Sequence, residues 1–172
     1  MADLDRFKKA QDSDTEGLAA ALSELEAGQK RSHWIWYIFP QLAGLGTSPM
    51  AVRFGVQGAA EATAYLRDPI LRDRLLAVTV LVARQLRRRP APALESVMGS
   101  TIDAVKLVSS LTLFGEIARR LDHTEPSTSL RSLAASADDV LDAAARQGYE
   151  PCAFTLGELG SSGDPAISSS GR

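Results

Sequence analysis

The feature that most constrains this chain is Pro40, because it closes the segment Lys30-Arg31-Ser32-His33-Trp34-Ile35-Trp36-Tyr37-Ile38-Phe39-Pro40-Gln41. Proline cannot donate its own amide and disfavours helical geometry at the residue before it. With Ser32 read as the N-cap, any helix here has about two turns. A helix that short is unstable alone, so the segment has to be buried. It holds both tryptophans of the chain beside Tyr37 and Phe39, with Lys30 and Arg31 at its N-terminal end. There the positive end of the macrodipole adds to their field, a combination that attracts anions. Two readings are compatible: the rings fill a core, and the same buried helix holds Arg31 and His33 at the floor of a pocket.

Helical periodicity runs through the rest of the chain. Leu4 to Gln11 predicts a short helix. Asp14, Thr15 and Glu16 open another, in which Leu18, Leu22 and Leu25 recur at i, i+4 and i+7 and Gly28 is the stop. Ser48-Pro49 and Asp68-Pro69 both read as N-cap plus first helical residue. A helical stretch over Glu61 to Arg67 lies between them. The second proline start leads into a long helix with an apolar stripe at Leu71, Leu75, Val78, Val82 and Leu86. After Pro90 and Pro92, Leu94 to Met98 reads as a short turn. Ser100 or Thr101 then caps a long helix to Leu121, buried along Leu107, Leu111, Phe114 and Ala118. His123 to Ser136, polar and rich in Ser and Thr, reads as a loop. Asp138 to Gln147 is the last expected helix, stopped by Gly148. Period-2 alternation and internal repeats are absent. The expectation is an all-α, single multihelical domain over residues 1–159 with a short buried central aromatic helix, and a disordered tail over 160–172.

Composition narrows the function classes. Nineteen Lys and Arg against 21 Asp and Glu give a net charge of −2, so no global field drives the chain toward nucleic acid. The one basic block, Arg87-Arg88-Arg89, sits at a predicted helix end, where cations complement the dipole. Charges interrupt the best apolar segment, Ile70 to Leu86, which argues against a membrane span. A single cysteine, Cys152, leaves no internal disulfide or multi-cysteine zinc site; it reads as a small buried hydrophobe. No signal peptide is visible, so a cytoplasmic location is expected. Gly44 and Gly46 lack the preceding strand and third glycine of a dinucleotide fingerprint, and no cofactor is called for.

Chemistry concentrates in two places. Asp103, Lys106 and Ser110 are spaced i, i+3 and i+7, so all three project toward one side of their helix and border the Leu107 stripe. Asp103 and Lys106 either satisfy one another at the core margin, or Lys106 and Ser110 reach the pocket of His33 and bind anionic oxygens. His33 is able to exchange protons near neutrality; His123 reads as a surface residue. Two distant histidines without clustered carboxylates speak against a catalytic metal.

The string Lys30 to Leu42, followed by Gly44-Leu45-Gly46, Ser48-Pro49-Met50, Glu61-Ala62 and Ala64-Tyr65-Leu66, resembles the family known as domain of unknown function 1810. Phe7 with Ala10-Gln11, and Asp103 with Lys106, Ser109-Ser110 and Thr112-Leu113-Phe114, carry the resemblance further, to roughly residues 4–156. Bacterial members often bear the label "calpastatin", although a chain this apolar is expected to fold, unlike the disordered calpain inhibitor. The resemblance implies a multihelical fold with a short buried central helix. Val108 stands where a cation is expected, and Val52 and Ala104 where polar residues are common, which leaves Lys106 as the main cationic contact of that face.

The order of an early aromatic-basic segment and a late polar-apolar helix is also similar to the helical NADAR family, which handles ADP-ribose-linked compounds. That similarity implies a nucleotide-type anion as ligand, such as an ADP-ribose conjugate. Trp34 would stack the base, Lys30, Arg31, Ser32, Lys106 and Ser110 would hold the anion, and His33 or Asp103 would do acid-base work in an N-glycosidic hydrolysis. The alternative is a helical protein-interaction module with an exposed apolar groove and no catalysis. What separates the two is whether Arg31, His33, Lys106 and Ser110 converge on one pocket. The oligomeric state is open.

Overall fold

Capping and apolar periodicity place most of the helices where the sequence puts them. The computed structural model describes residues 3–161. Among these the elements are α1 (Asp5–Gln11), α2 (Leu18–Ala27), α3 (Ile35–Ile38), α4 (Pro49–Phe54), α5 (Gly58–Arg67), α6 (Pro69–Leu86), α7 (Leu94–Met98), α8 (Thr101–Thr124), α9 (Thr128–Ala145) and α10 (Ala153–Ser161). Ser48 and Asp68 each cap the helix that begins with the following proline, and Ser100 caps α8 by accepting the Asp103 amide. No strand forms among the described residues. A single parallel bridge joins Leu42 to Val56, held by Ala43 N–H to the Val56 carbonyl and Val56 N–H to the Gln41 carbonyl, both at 2.9 Å. It pins the two ends of the loop that carries α4.

The centre of the molecule is α8, where every residue from Leu107 to Gly115 is buried. It packs chiefly against α9 and α5, while α6 lies between α9 and α2. Gly115 lets α8 and α9 approach closely: a Cβ there would meet the Ala137 Cβ at 3.2 Å. The aromatic core is assembled from several elements, with Phe7 of α1 edge-on to Tyr65 of α5 and Tyr65 tilted on Phe114 of α8.

The structure corrects the sequence expectation at three points. The first is α3, a single turn of four residues whose N-cap position is Trp34 with no side-chain cap. Ser32 instead donates its hydroxyl to Glu24. The short helix packs mainly on α1, α4 and α8, at one side of the central helix, so the aromatic cluster is buried without being confined to a central element. The second is the expected loop His123 to Ser136, which is almost entirely helical. His123 lies in the last turn of α8, and α9 starts at Thr128. Leu130, Leu133, Ala134 and Ala137 recur at i, i+3, i+4 and i+7 and are all buried, and that apolar face outweighs the weak helix preference of Ser and Thr. The third is the C-terminal end, where α10 follows the helix expected to be the last and is closed by Gly160 and Ser161, expected in the disordered tail; the remainder of that tail lies outside the described residues.

Glu24 anchors the aromatic segment to α2. Its carboxylate accepts the Arg31 and Ser32 amides at 2.7 and 3.0 Å and the Trp34 indole N–H at 2.9 Å, together with the Ser32 hydroxyl. Partial burial pushes the Glu24 carboxyl up, but the bonds from Ser32, the Arg31 and Ser32 amides and Trp34 outweigh it and hold it at about 2. A carboxyl depressed on folding stabilises the native state above its unfolded pKa and loses that contribution as pH falls toward the folded value. Chemical denaturation of the Glu24→Gln variant should therefore show a shallower loss of stability than the parent between pH ~4.5 and ~2. Equal slopes for the two proteins in that window would remove Glu24 as the anchor.

Candidate functional site

Backbone geometry sets Lys30 beside the start of α8. Gly99, the left-handed C-cap of α7 with φ 81°, has no Cβ, and one there would sit 2.7 Å from the Lys30 carbonyl oxygen. The Lys30 amide in turn donates to the Val97 carbonyl at 2.8 Å. From this position the Lys30 ammonium reaches Asp103 at 2.8 Å, donates to the Ser32 carbonyl and lies 4.9 Å above the Trp34 ring. Its side chain is only 6% exposed, so the Asp103 carboxylate is what makes that burial tolerable.

The other oxygen of Asp103 faces the Lys106 ammonium at 3.8 Å, and Lys106 stands 4.6 Å above the Trp36 ring. The result is a row in which one carboxylate lies between two ammonium groups, each over a tryptophan. The two ends of the row differ. Trp34 is fully buried with its N–H bonded to Glu24, whereas the Trp36 N–H is buried without a hydrogen-bond partner. The Ser110 hydroxyl, one turn beyond Lys106 on α8, is likewise buried and unpartnered. The Gln41 side-chain amide makes no hydrogen bond among the described residues.

Two hollows meet at this open end. A crevice lined by Ile35, Trp36, Phe39, Phe54 and Lys106 has room for one water-sized group, about 10 Å³. A shallower groove of about 290 Å³ runs over Leu45, Thr101, Ile102, Val105 and Ser109. Gln41 and Lys106 line both. The larger hollow between α1 and α5 is a poorer candidate, because the Arg6 guanidinium on its wall is bonded to both Glu61 oxygens and to the Arg53 and Gly55 carbonyls. The basic run behaves as expected for a helix end: Arg87 pairs with Asp139 of α9 and Arg88 bonds Gln85.

The residues singled out in the sequence separate into groups. Lys30, Asp103 and Lys106 gather on the α8 side, whereas the buried Ser110 hydroxyl lines neither hollow. Arg31 is exposed, and Ser32 is held by Glu24. His33 is turned to the segment just before α2, its side chain 77% exposed and its Nδ1 3.1 Å from Glu16; it shares no hydrogen-bond partner with Asp103. Trp34 has no exposed face on which a base can stack, which corrects its expected role. Sequence reasoning missed Trp36 and Gln41, although both stand in the Lys30 to Gln41 string. Val108, where a cation is expected, is buried, as is Ala104, while Val52 is exposed. Cys152 also departs from expectation. It is half-buried just before α10; burial pushes its thiol up, but the polar surroundings at Thr155, Ser109 and the Thr155 and Phe154 amides bring it below the ordinary value. No group of His, Cys, Asp and Glu able to hold a metal occurs among the described residues, and no described helix is long and apolar enough to cross a membrane.

The profile of the family described as "Protein of unknown function (DUF1810)" matches residues 1–137. The chain belongs to that family. A solved structure, titled as the conserved hypothetical protein Rv1873 from Mycobacterium tuberculosis, is similar to it at 35% identity and a TM-score of 0.68. That match covers 92% of this chain and 96% of the mycobacterial one. No curated protein matches the chain.

The two lysines should separate in stability measurements. Asp103→Ala leaves the buried Lys30 ammonium uncompensated and should cost on the order of 3 kcal/mol in chemical denaturation. Lys106→Met keeps the stem and removes a partly exposed charge, so it should cost less than about 1 kcal/mol. A larger loss from Lys106→Met than from Asp103→Ala would reverse the assignment of structural and available cation.

Proposed function

We propose that this DUF1810-family protein binds a small anionic ligand in the groove that begins at Gln41 and Lys106. The observation that carries this reading is Lys106, a cation set over the Trp36 ring beside a buried indole N–H and an unused amide. Donors left unpaired next to a cation are stabilised when a charged acceptor arrives, since buried polar groups without partners cost free energy. A nucleotide-type anion is the class that the looser similarity in sequence order suggests. Against a pyrophosphate such as that of an ADP-ribose conjugate stands the engagement of Lys30 by Asp103 and the exposure of Arg31 away from the groove.

The proposal is one of binding rather than hydrolysis. His33 and Asp103, the residues expected to do acid-base work, line neither hollow: His33 is paired with Glu16, and both oxygens of Asp103 face lysines. A second reading, a protein-interaction surface, is favoured by the exposed Phe154 and Leu156 of α10, which lie outside the groove lining.

A thermal-shift panel of phosphates, nucleotides, ADP-ribose and organic carboxylates, each beside an uncharged analogue, tests the reading. A ligand that binds only the native state raises the melting temperature by mass action. At least one anion should do so while its uncharged analogue does not, and Lys106→Met should abolish the shift. Equal shifts with charged and uncharged compounds, or shifts that survive in the variant, would contradict it.

A further inference from the structure

We propose that the ligand of this groove is a small organic acid with an apolar body, its carboxylate meeting Lys106, Trp36 and Gln41 and its hydrocarbon part lying along Leu45, Ile102 and Val105. The inference rests on the binding site proposed above and names the class of ligand it takes.

Charge is the first argument. Two ammonium groups share one carboxylate, so the row carries one surplus positive charge, which a monoanion neutralises and a doubly charged phosphate exceeds. Lys30 cannot swing out to help, because its side chain is buried and held by Asp103 and the Ser32 carbonyl.

Shape is the second. The crevice lined by Trp36 and Lys106 holds about 10 Å³, roughly the least volume that admits a single water molecule, and the covered, unpartnered Trp36 N–H comes within reach of an occupant through a small shift of the ring. One oxygen of a planar carboxylate fits such a slot with the second left outside for the Gln41 amide, and an ionised carboxylate accepts several donors at once.

The walls are the third. Leu45, Ile102 and Val105 line the groove beyond Lys106, and Ile102 and Val105 are 68% and 50% exposed. Apolar surface left in water beside a cation suits a ligand whose charged end is short and whose remainder is hydrocarbon. The groove, at about 290 Å³, lies at the small end of the range for ligand pockets, roughly 300 to 1,000 Å³, which favours a compact body over a dinucleotide.

Calorimetric titration of the full chain with hexanoate, benzoate, inorganic phosphate and AMP is the test. Hexanoate or benzoate should bind saturably, and Lys106→Met should weaken that binding about tenfold or more. Trp36→Phe, which keeps a ring and deletes the N–H, should weaken it several-fold. Ile102→Glu, a change at a largely exposed position, should weaken it as well and keeps the test intact if Lys106→Met fails to fold. Lys106-dependent binding of phosphate or AMP without binding of either carboxylate would overturn the ligand class and leave the anion site standing. Absence of binding by every anion would overturn both. Carboxylate binding indifferent to all three substitutions would place the ligand elsewhere and overturn the proposal.

Discussion

The buried contact between Lys30 and Asp103 is the constraint around which the candidate site is arranged. It joins the chain before α3 to the first turn of α8, at 2.8 Å and almost out of reach of water. Both partners are placed by backbone features: Lys30 by the hydrogen bond its amide donates to the Val97 carbonyl and by its approach to Gly99, Asp103 by the Ser100 cap of α8. Two charges brought together under cover cost desolvation that their attraction only partly returns. What such a pair does well is select one arrangement, because leaving either partner alone is far worse. Here the arrangement selected is the one that puts Asp103 within reach of a second lysine, so that Lys106 is oriented over Trp36 while still facing the groove.

The same economy of geometry divides the two tryptophans. Trp34 stands at the N-cap of α3 and Trp36 within its single turn, so the two rings leave the segment in different directions. Trp34 goes inward, where Glu24 accepts its N–H and Lys30 covers its ring. Trp36 goes toward α8, where its ring meets Lys106 and its N–H meets nothing. Rigid support on one side and unsatisfied donors on the other follow from a single turn of helix, and the bridge between Leu42 and Val56 brings Gln41 to the open side.

Much of the fold was legible because its signals are local. Ser48-Pro49, Asp68-Pro69 and the Leu71 to Leu86 stripe specify their helices without reference to the rest of the chain. The segment from Thr128 to Ser136 was not, because its Ser and Thr content hides an apolar face that acquires meaning only when α6 and α8 are there to cover it. The site shows the same division. The spacing of Asp103, Lys106 and Ser110 on one face of α8 is a property of the sequence; the structure joins Asp103 to Lys106 and leaves the buried Ser110 hydroxyl outside the lining of both hollows. That Lys30 takes up Asp103, that Glu24 takes up Ser32 and Trp34, and that His33 leaves for Glu16 are pairings between residues from 8 to 73 positions apart; no periodicity reports them. Trp36 and Gln41 were overlooked because residue type alone does not say which of several adjacent aromatic and polar groups will be left without a partner.

The central claim is that one of the two tryptophan–lysine pairs is structural and the other is available to a ligand. The chain has two tryptophans, so its ¹H–¹⁵N correlation spectrum contains two indole N–H signals, which Trp36→Phe assigns by deleting one. Titration with benzoate or another anion found to bind should move the Trp36 signal progressively and leave the Trp34 signal, already bonded to Glu24, in place. Movement of the Trp34 signal alone, or of neither while binding is measured by other means, would contradict the account.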